Sequence, residues 1–231
     1  MPLTEEEMKY SAQAWEYVEN GYYRRLLGRV PGIERCRKVL DVGAGPGGWL
    51  LAIVEMLGSG VEISAADISD DWLLLAGEKL KSLGVEKAGL SRMDAQSLAF
   101  EDNSFDLAIS SLVLPYVPDE PKAVREMIRV LVKGGKGLLL FHEPYFYLRR
   151  LFKKGLKIRL SAAASMVSSV VYIFTGRKIY RRTFQSRQLI ERLLKANGCR
   201  IVYSDRSKAG IGVLCFSKDS LLAAGAGHRA S

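Results

Sequence analysis

Cysteine is scarce in this chain of 231 residues. The three that are present, Cys36, Cys199 and Cys215, form no C-x-x-C pair, and their number is odd. Such a set favours neither a zinc site nor a disulfide framework, and it is typical of a reducing compartment. We therefore expect a cytoplasmic protein without a metal centre.

Long apolar runs are also missing. The longest stretch without a charged residue, residues 160–176, spans 17 residues and includes several serines. That length is at the short limit for a membrane span, and the composition is too polar for one. The first ten residues, MPLTEEEMKY, are acidic and contain no apolar core, so we do not expect a signal peptide.

Acidic residues are absent from one long segment, residues 144–190. This segment holds eleven of the 34 Lys and Arg residues, so the remaining 23 basic residues face 25 acidic ones and the net charge of +9 arises here. The basicity of the chain therefore needs a local explanation. The eleven residues are Arg149, Arg150, Lys153, Lys154, Lys157, Arg159, Arg177, Lys178, Arg181, Arg182 and Arg187.

The pattern that is present is an alternation of strands and helices. A capping box at Thr4 and Glu7 predicts a helix that runs toward Gly21, and a second helix is expected around residues 22–27. Apolar runs predict five strands separated by helices. These runs are RKVLDVG, GVEISAAD, AGLSRM, SFDLAISSLVL and GKGLLLFHE.

The second half of the chain departs from this alternation. Residues 144–185 lack strand patterning and predict one or two inserted helices. Ser186 then predicts the start of another helix. CRIVYSD and IGVLCFS follow as two strands, and the joint between them is too short for a parallel crossover, so this pair is expected to be antiparallel.

The length suffices for one α/β domain with an insertion. We expect a single domain over residues 1–231. Its expected parts are N-terminal helices (1–30), a ligand-binding core (38–143), a basic helical cap (144–185), a C-terminal helix and β-hairpin (186–217) and a tail (218–231).

The glycine-rich stretch KVLDVGAGPGG, residues 38–48, carries the first functional signal. Gly43, Gly45 and Gly48 fit G-x-G-x-x-G, and the stretch lies between the first predicted strand and the next helix. Such a turn lets the backbone approach a ligand closely, with helix N–H groups aimed at it. The glycines alone fit either NAD or S-adenosylmethionine (SAM).

Two aspartates lie at the same predicted edge of the sheet. Asp41 ends the first strand, where a carboxylate would repel the diphosphate of NAD and attract the ammonium group of SAM. Asp67 ends the second strand, where a carboxylate can accept the ribose hydroxyls of either cofactor. Asp41 therefore favours SAM, and Asp67 indicates an adenosine ligand.

The stretch that follows resembles class I SAM-dependent methyltransferases of the small-molecule type, which include enzymes of quinone biosynthesis and many natural-product methylases. The resemblance rests on SRMDAQSLAFEDNSFDLAISSLVLPYVPDE, MIRVLVKGGKGLLL and RTFQSRQLIERLLKANGCRIV, and it covers roughly residues 38–143 and 183–217. The chain departs from the family pattern at Ala99, where proline is usual, and at Pro115 and Tyr116, where the family has histidines.

This resemblance implies a Rossmann-like, doubly wound α/β fold with a seven-stranded, mostly parallel sheet, an antiparallel last strand and a helical cap insertion. It implies SAM as the cofactor, with Asp94 and Ala95 flanking the adenine. The predicted cofactor-binding residues are Asp41, Gly43, Ala44, Gly45, Gly47, Asp67, Ile68, Asp94, Ala95, Ser110 and Ser111.

Methyl transfer from a sulfonium is an in-line displacement that needs alignment more than a dedicated catalytic group. A base is required only when the nucleophile carries a proton of high pKa. Candidates near the ends of the fourth and fifth strands are His142, Glu143, Tyr116 and Tyr145. Each has a non-catalytic alternative: a hydrogen-bonded histidine, a capping glutamate or an aromatic pocket wall.

The acceptor is expected to be a small, hydrophobic or lipid-like molecule. The N/D-P-P-Y/F motif of enzymes that methylate adenine or glutamine amino groups is absent, because residues 110–113 read SSLV. An oxygen or carbon acceptor is therefore favoured over an amine.

Three interpretations of the basic segment remain open at the level of sequence. It covers a hydrophobic acceptor, or it lies on an anionic membrane surface, or it binds RNA or another polyanion, which is less favoured. Two alternatives to the enzyme also remain, a NAD-dependent oxidoreductase and a SAM-binding protein without catalytic activity.

Overall fold

The computed structural model describes residues 12, 14–58, 60–82, 84–85, 88–152, 155–175, 184–207 and 210–219. The predicted capping box at Thr4 and the tail beyond residue 219 lie outside the described residues, as do six of the eleven basic residues of segment 144–190.

A single seven-stranded sheet is the centre of the fold. Its order is β3-β2-β1-β4-β5-β7-β6, with parallel pairing from β3 through β5 and antiparallel pairing of β7 with both β5 and β6. The predicted fold class is therefore confirmed. The strands are β1 (Lys38–Val42), β2 (Glu62–Asp67), β3 (Ala88–Arg92), β4 (Phe105–Ser111), β5 (Leu131–His142), β6 (Cys199–Arg206) and β7 (Ile211–Lys218).

Helices cover both faces of the sheet. Residues 14–19 are helical. The helices that follow are α1 (Tyr22–Leu27), a 3-10 turn (Ile33–Arg35), α2 (Gly48–Leu57), α3 (Asp70–Ser82), α4 (Glu120–Val130), α5 (Pro144–Leu151), α6 (Leu156–Thr175) and α7 (Arg187–Ala196). Side chains cap the starts of α3 and α4, because Ser69 Oγ accepts from Trp72 N–H and Asp119 Oδ1 accepts from Lys122 N–H.

Two apolar layers, one on each face of the sheet, form the core. Alternate residues of β1 and β4 point to opposite sides, so Val39 packs with α1 and α2 while Leu40 packs with α4 and α7. Each such fully buried aliphatic side chain contributes roughly 1.5–3 kcal/mol. The central strands are held rigidly by this packing, and their carboxyl ends form a fixed edge.

Two element boundaries differ from the sequence predictions. Helix α2 begins at Gly48 and not at Pro46, the start that the sequence predicts, because Gly47 is left-handed (φ +83°) and cannot continue into the helix. Strand β5 begins at Leu131, four residues earlier, because Leu131 pairs with Phe105 before a register shift at the Gly134–Gly135 turn.

The predicted cap is two helices, α5 and α6, separated by Gly155 (φ +109°). It is tied to the sheet where the chain returns, since Gln185 N–H donates to His142 O at 2.7 Å and Phe184 N–H donates to Ser169 Oγ at 2.8 Å. Within the described part of the chain, none of the helices has the length and apolarity needed to cross a membrane.

Candidate cofactor and acceptor site

The glycine loop after β1 is left-handed at three positions. Gly43, Gly45 and Gly47 have φ values of +74°, +50° and +83°. Gly43 N–H and Ala44 N–H both donate to Ala66 O, at 2.7 and 3.2 Å. The loop is therefore bound to the end of β2, with its backbone turned across the carboxyl edge of the sheet.

Gly43 also lies against the segment that follows β4. A Cβ at this position would come within 2.1 Å of Val113 Cγ2. The preceding residue, Leu112, has a left-handed backbone (φ +61°), which is uncommon for a branched side chain. Nothing in the sequence signalled this strained residue, which brings the β4 segment close to the loop.

Asp41 is the most unusual group at this edge. Its side chain is fully buried, and neither carboxylate oxygen has a hydrogen-bond partner among the described residues. Burial, and secondarily the nearby Asp67, raises the pKa of Asp41 to about 8. A buried carboxylate without a partner is costly unless a cation arrives to pair with it. This position fits the ammonium group of SAM and opposes a diphosphate.

Asp67 connects the loop to the start of α3. Its carboxylate accepts from Gly45 N–H at 2.9 Å and from Ser69 N–H at 3.0 Å. Burial raises the pKa of Asp67, and these backbone hydrogen bonds oppose that rise. The next residue, Ile68, is 65% exposed at the same edge, where it offers an apolar surface.

Asp94 lies in a compact turn after β3, next to Ala95. Its Oδ1 accepts from Gln96 N–H at 2.8 Å, and the Gln96 side-chain amide donates to both carboxylate oxygens at 3.0 Å. Gln96 Oε1 in turn accepts from Asp119 N–H at 2.8 Å. Gln96 thus links the turn after β3 to the start of α4, a role that the sequence analysis missed.

Ser110 and Ser111 end β4, beside the glycine loop. Ser110 pairs with Val42 of β1 and with Leu139 of β5, and it is buried. The predicted cofactor residues of β1, β2 and β4 therefore meet at one edge, in the arrangement that binds cofactors in open parallel sheets. Their individual roles toward SAM stay predictions.

The candidate bases have different surroundings. The His142 ring is buried, stacks on Phe146 at 3.9 Å between centroids, and places Nδ1 3.3 Å from Tyr147 Oη. Tyr116 and Tyr145 are about half exposed. Their catalytic roles stay predictions.

Glu143 is fixed in a structural ion pair. The carboxylate is 2% exposed, accepts from Arg187 Nε at 2.8 Å and forms a second ion pair with Arg206. These contacts join the end of β5 to α7 and to the β6–β7 hairpin. With two guanidinium partners, Glu143 is poorly suited to act as a base.

We expect Asp67→Ala to weaken SAM binding at least about tenfold, because hydrogen bonds to a charged group contribute roughly 1.5–3 kcal/mol each. Asp67→Asn should weaken it less, since an amide oxygen can still accept from Gly45. Calorimetric titration measures both. Asp70→Ala is the matched control, because Asp70 is an exposed aspartate three residues away that pairs with Arg92. Unchanged SAM affinity in Asp67→Ala would contradict the assignment.

Comparison with known proteins shows what this chain is similar to. Residues 39–135 match the model of a methyltransferase domain. The ubiquinone/menaquinone biosynthesis C-methyltransferase of Pasteurella multocida is 39% identical over 124 residues, 53% of this chain and 46% of that protein. The demethylmenaquinone methyltransferase of Bacillus cytotoxicus is 34% identical over 118 residues, 51% of this chain and 50% of that protein. The chain thus spans about half the length of the curated relatives it matches.

The fold has counterparts among solved structures. A SAM-dependent methyltransferase from Aquifex aeolicus superposes with a TM-score of 0.56 at 16% identity, covering 78% of this chain and 81% of that one. The alternative of a NAD-dependent oxidoreductase is not favoured by any of these similarities. The unpartnered carboxylate of Asp41 and the left-handed glycine loop fit SAM as well. The chain therefore resembles class I SAM-dependent methyltransferases of the small-molecule type, and this likeness supports S-adenosylmethionine as its cofactor.

Proposed function

We propose that this protein transfers a methyl group from SAM to a carbon or oxygen atom of a small, lipid-like aromatic molecule such as a hydroquinone. The observation that carries the SAM-dependent part is Asp41, a fully buried carboxylate beside the glycine loop with no partner among the described residues. The acceptor class is supported by the curated relatives, which are named as quinone-biosynthesis methyltransferases.

The chain's own residues would act mainly by positioning. Bound SAM supplies an electrophilic methyl group on its sulfonium sulfur. Asp41 would hold the ammonium group, and Asp67, which keeps the glycine loop in place, would bind the ribose. Asp94 and Ala95 would hold the adenine, and Ile68 would offer it an apolar surface. Fixing one reactant in this way converts the displacement into an effectively intramolecular step.

A hydroquinone acceptor makes a base useful, because loss of a phenolic proton raises the electron density of both the oxygen and the ring carbons. His142 is the preferred candidate, since Tyr147 fixes its ring through Nδ1 and Phe146 through stacking. Tyr116 and Tyr145 are weaker candidates for the base, and both side chains are about half exposed.

The three cysteines are all free and buried, which fits the reducing environment of the cytoplasm. The α5–α6 cap covers the acceptor, and its outer surface contacts an anionic membrane rather than nucleic acid. The chain acts as a single domain that consists of N-terminal helices, a SAM-binding core, the cap, a C-terminal helix with a β-hairpin, and a tail.

The test is an assay with methyl-labelled SAM and three acceptors: a prenylated hydroquinone, the same head group without its tail, and RNA. We expect label on the prenylated hydroquinone, at carbon or oxygen as located by mass spectrometry, and a faster rate than without the tail. His142→Ala should shift the pH profile of turnover. SAM binding without transfer to any acceptor would favour the non-catalytic alternative, and label on RNA alone would contradict the proposal.

A further inference from the structure

Helix α6 has an unusual distribution of side chains. Among the side chains of α6 that the structure describes, the buried ones are small, and three of the four are serines: Ala162, Ser165, Ser168 and Ser169. The hydroxyls of Ser165 and Ser169 donate to the carbonyls of Ser161 and Ser165, at 2.9 and 2.7 Å. The inner face of α6 is therefore a close-packed surface whose polar groups bond back to the helix.

The opposite side of α6 is apolar and exposed. Its residues follow one another at intervals of four, three, four, three and four positions, which places them along one line of the helix. At 1.5 Å per residue this outer stripe is about 27 Å long. The outer stripe consists of Leu156, Leu160, Ala163, Val167, Val170 and Phe174.

The exposure of the outer stripe is large for such side chains. Leu160 is 60% exposed, Val167 57% and Phe174 83%. Phe152, at the connection from α5, is 85% exposed as well. Tyr145 and Leu148 of α5 are exposed too. A contiguous apolar surface of this kind marks an interaction site.

The charge around the outer stripe selects among partners. Residues 144–190 contain eleven basic residues and no acidic one, and they extend beyond both ends of the stripe. Pairing with a second copy, in either direction, would oppose basic residues with basic residues and offer no acid. RNA would use the charges but would leave the apolar stripe in water. An anionic lipid surface complements both features.

We propose that the outer stripe of α6 docks on an anionic phospholipid membrane, with the helix lying in the plane of the headgroups. The apolar side chains enter the boundary with the acyl chains, while Arg150 and Arg159 pair with lipid phosphates. Docking itself does not depend on catalysis. The added consequence, that a lipid-like acceptor reaches the site from the bilayer, rests on the proposed function.

Vesicle co-sedimentation tests the docking directly. We expect the protein to bind vesicles of phosphatidylcholine containing phosphatidylglycerol and to remain in solution with phosphatidylcholine alone. The double variant Leu160→Asn/Val167→Asn should bind anionic vesicles at least about tenfold more weakly, because two buried aliphatic contacts are lost. Arg150→Gln/Arg159→Gln should weaken binding roughly fivefold per charge and reduce its salt sensitivity.

The matched control is Leu74→Asn, which changes a leucine of similar exposure (64%) on α3, outside the cap. It should bind like the unmodified protein, and circular dichroism should show that all the variants fold. The proposal is overturned if the unmodified protein ignores anionic vesicles at low salt, if the stripe variant binds as well as Leu74→Asn, or if the stripe variant instead dissociates a dimer. Failure of methyl transfer with intact vesicle binding would overturn only the proposed function.

Discussion

Asp41→Asn is expected to weaken SAM binding roughly 150-fold, which corresponds to about 3 kcal/mol for a buried ion pair that loses one partner. In the free protein the carboxylate is buried without a hydrogen-bond partner among the described residues. The amide of asparagine therefore removes the cost of burying a charge, and it also removes the attraction to the ammonium group of SAM. We therefore expect the free energy of unfolding of the ligand-free variant to be no lower than that of the unmodified protein. Titration calorimetry and thermal unfolding measure the two effects.

The pH dependence of binding follows from the raised pKa of Asp41, about 8. Below this pH the carboxyl group holds a proton that must leave when the ammonium binds, so affinity rises with pH. Above about 8 the amino group of SAM itself loses its proton, so affinity falls again. The SAM affinity of the unmodified protein should be highest near pH 8. In Asp41→Asn, the affinity should no longer rise with pH below that value.

The stability of the ligand-free protein changes with pH in the opposite direction to SAM affinity below pH 8. The folded-state pKa of Asp41 lies above the value of 3.8 for a free aspartate. Between these values the folded state holds more protons than the unfolded state, so the contribution of Asp41 to stability declines as pH rises through the window. A variant that binds SAM normally, or a flat pH profile for the unmodified protein, would contradict the role given to Asp41.

Glu143→Ala is expected to lower the free energy of unfolding by about 3 kcal/mol, because removing one member of a buried ion pair leaves its partner uncompensated. Most of this destabilisation should come from Arg187, because its side chain is only 18% exposed and would be left without its carboxylate partner. Arg206 is 60% exposed and can be hydrated. For a chain of this size the midpoint of thermal unfolding should fall by about 6–12 °C.

Glu101→Gln serves as the control, because Glu101 is exposed in a loop. Its melting temperature should match that of the unmodified protein. SAM affinity of Glu143→Ala, measured well below its melting temperature, should change little, since Glu143 joins β5 to α7 and the hairpin rather than to the glycine loop. Normal stability with abolished turnover would instead indicate a catalytic carboxylate.

Most of the fold was predictable because its signals are local. Apolar runs predicted the strands, and the four-residue joint before β7 required an antiparallel pair. The glycine loop and Asp67 were recognisable for the same reason, because strand ends, turns and helix starts depend on residues that are adjacent in the sequence. Boundaries at Gly47 and Leu131 were missed because they depend on a glycine conformation and on pairing with a distant strand.

The chemistry of the site was less accessible from sequence. That Asp41 has no hydrogen-bond partner among the described residues follows from the packing of β1 between β2 and β4, which no local pattern reveals. The pairing of Glu143 with Arg187 spans 44 positions. The orientation of α6 was equally hidden. By polarity alone, such a helix is expected to bury its aliphatic side and expose its serines, but in the structure the serines are buried and the aliphatic residues are exposed.

Calorimetric titration of the unmodified protein with SAM and, separately, with NAD tests the central claim most directly. If Asp41 and the glycine loop form a cradle for the ammonium end of SAM, SAM binds with one molecule per chain. NAD, whose diphosphate would face Asp41, does not bind. Binding of NAD in place of SAM, or SAM binding that persists at full strength in Asp41→Asn, would contradict it.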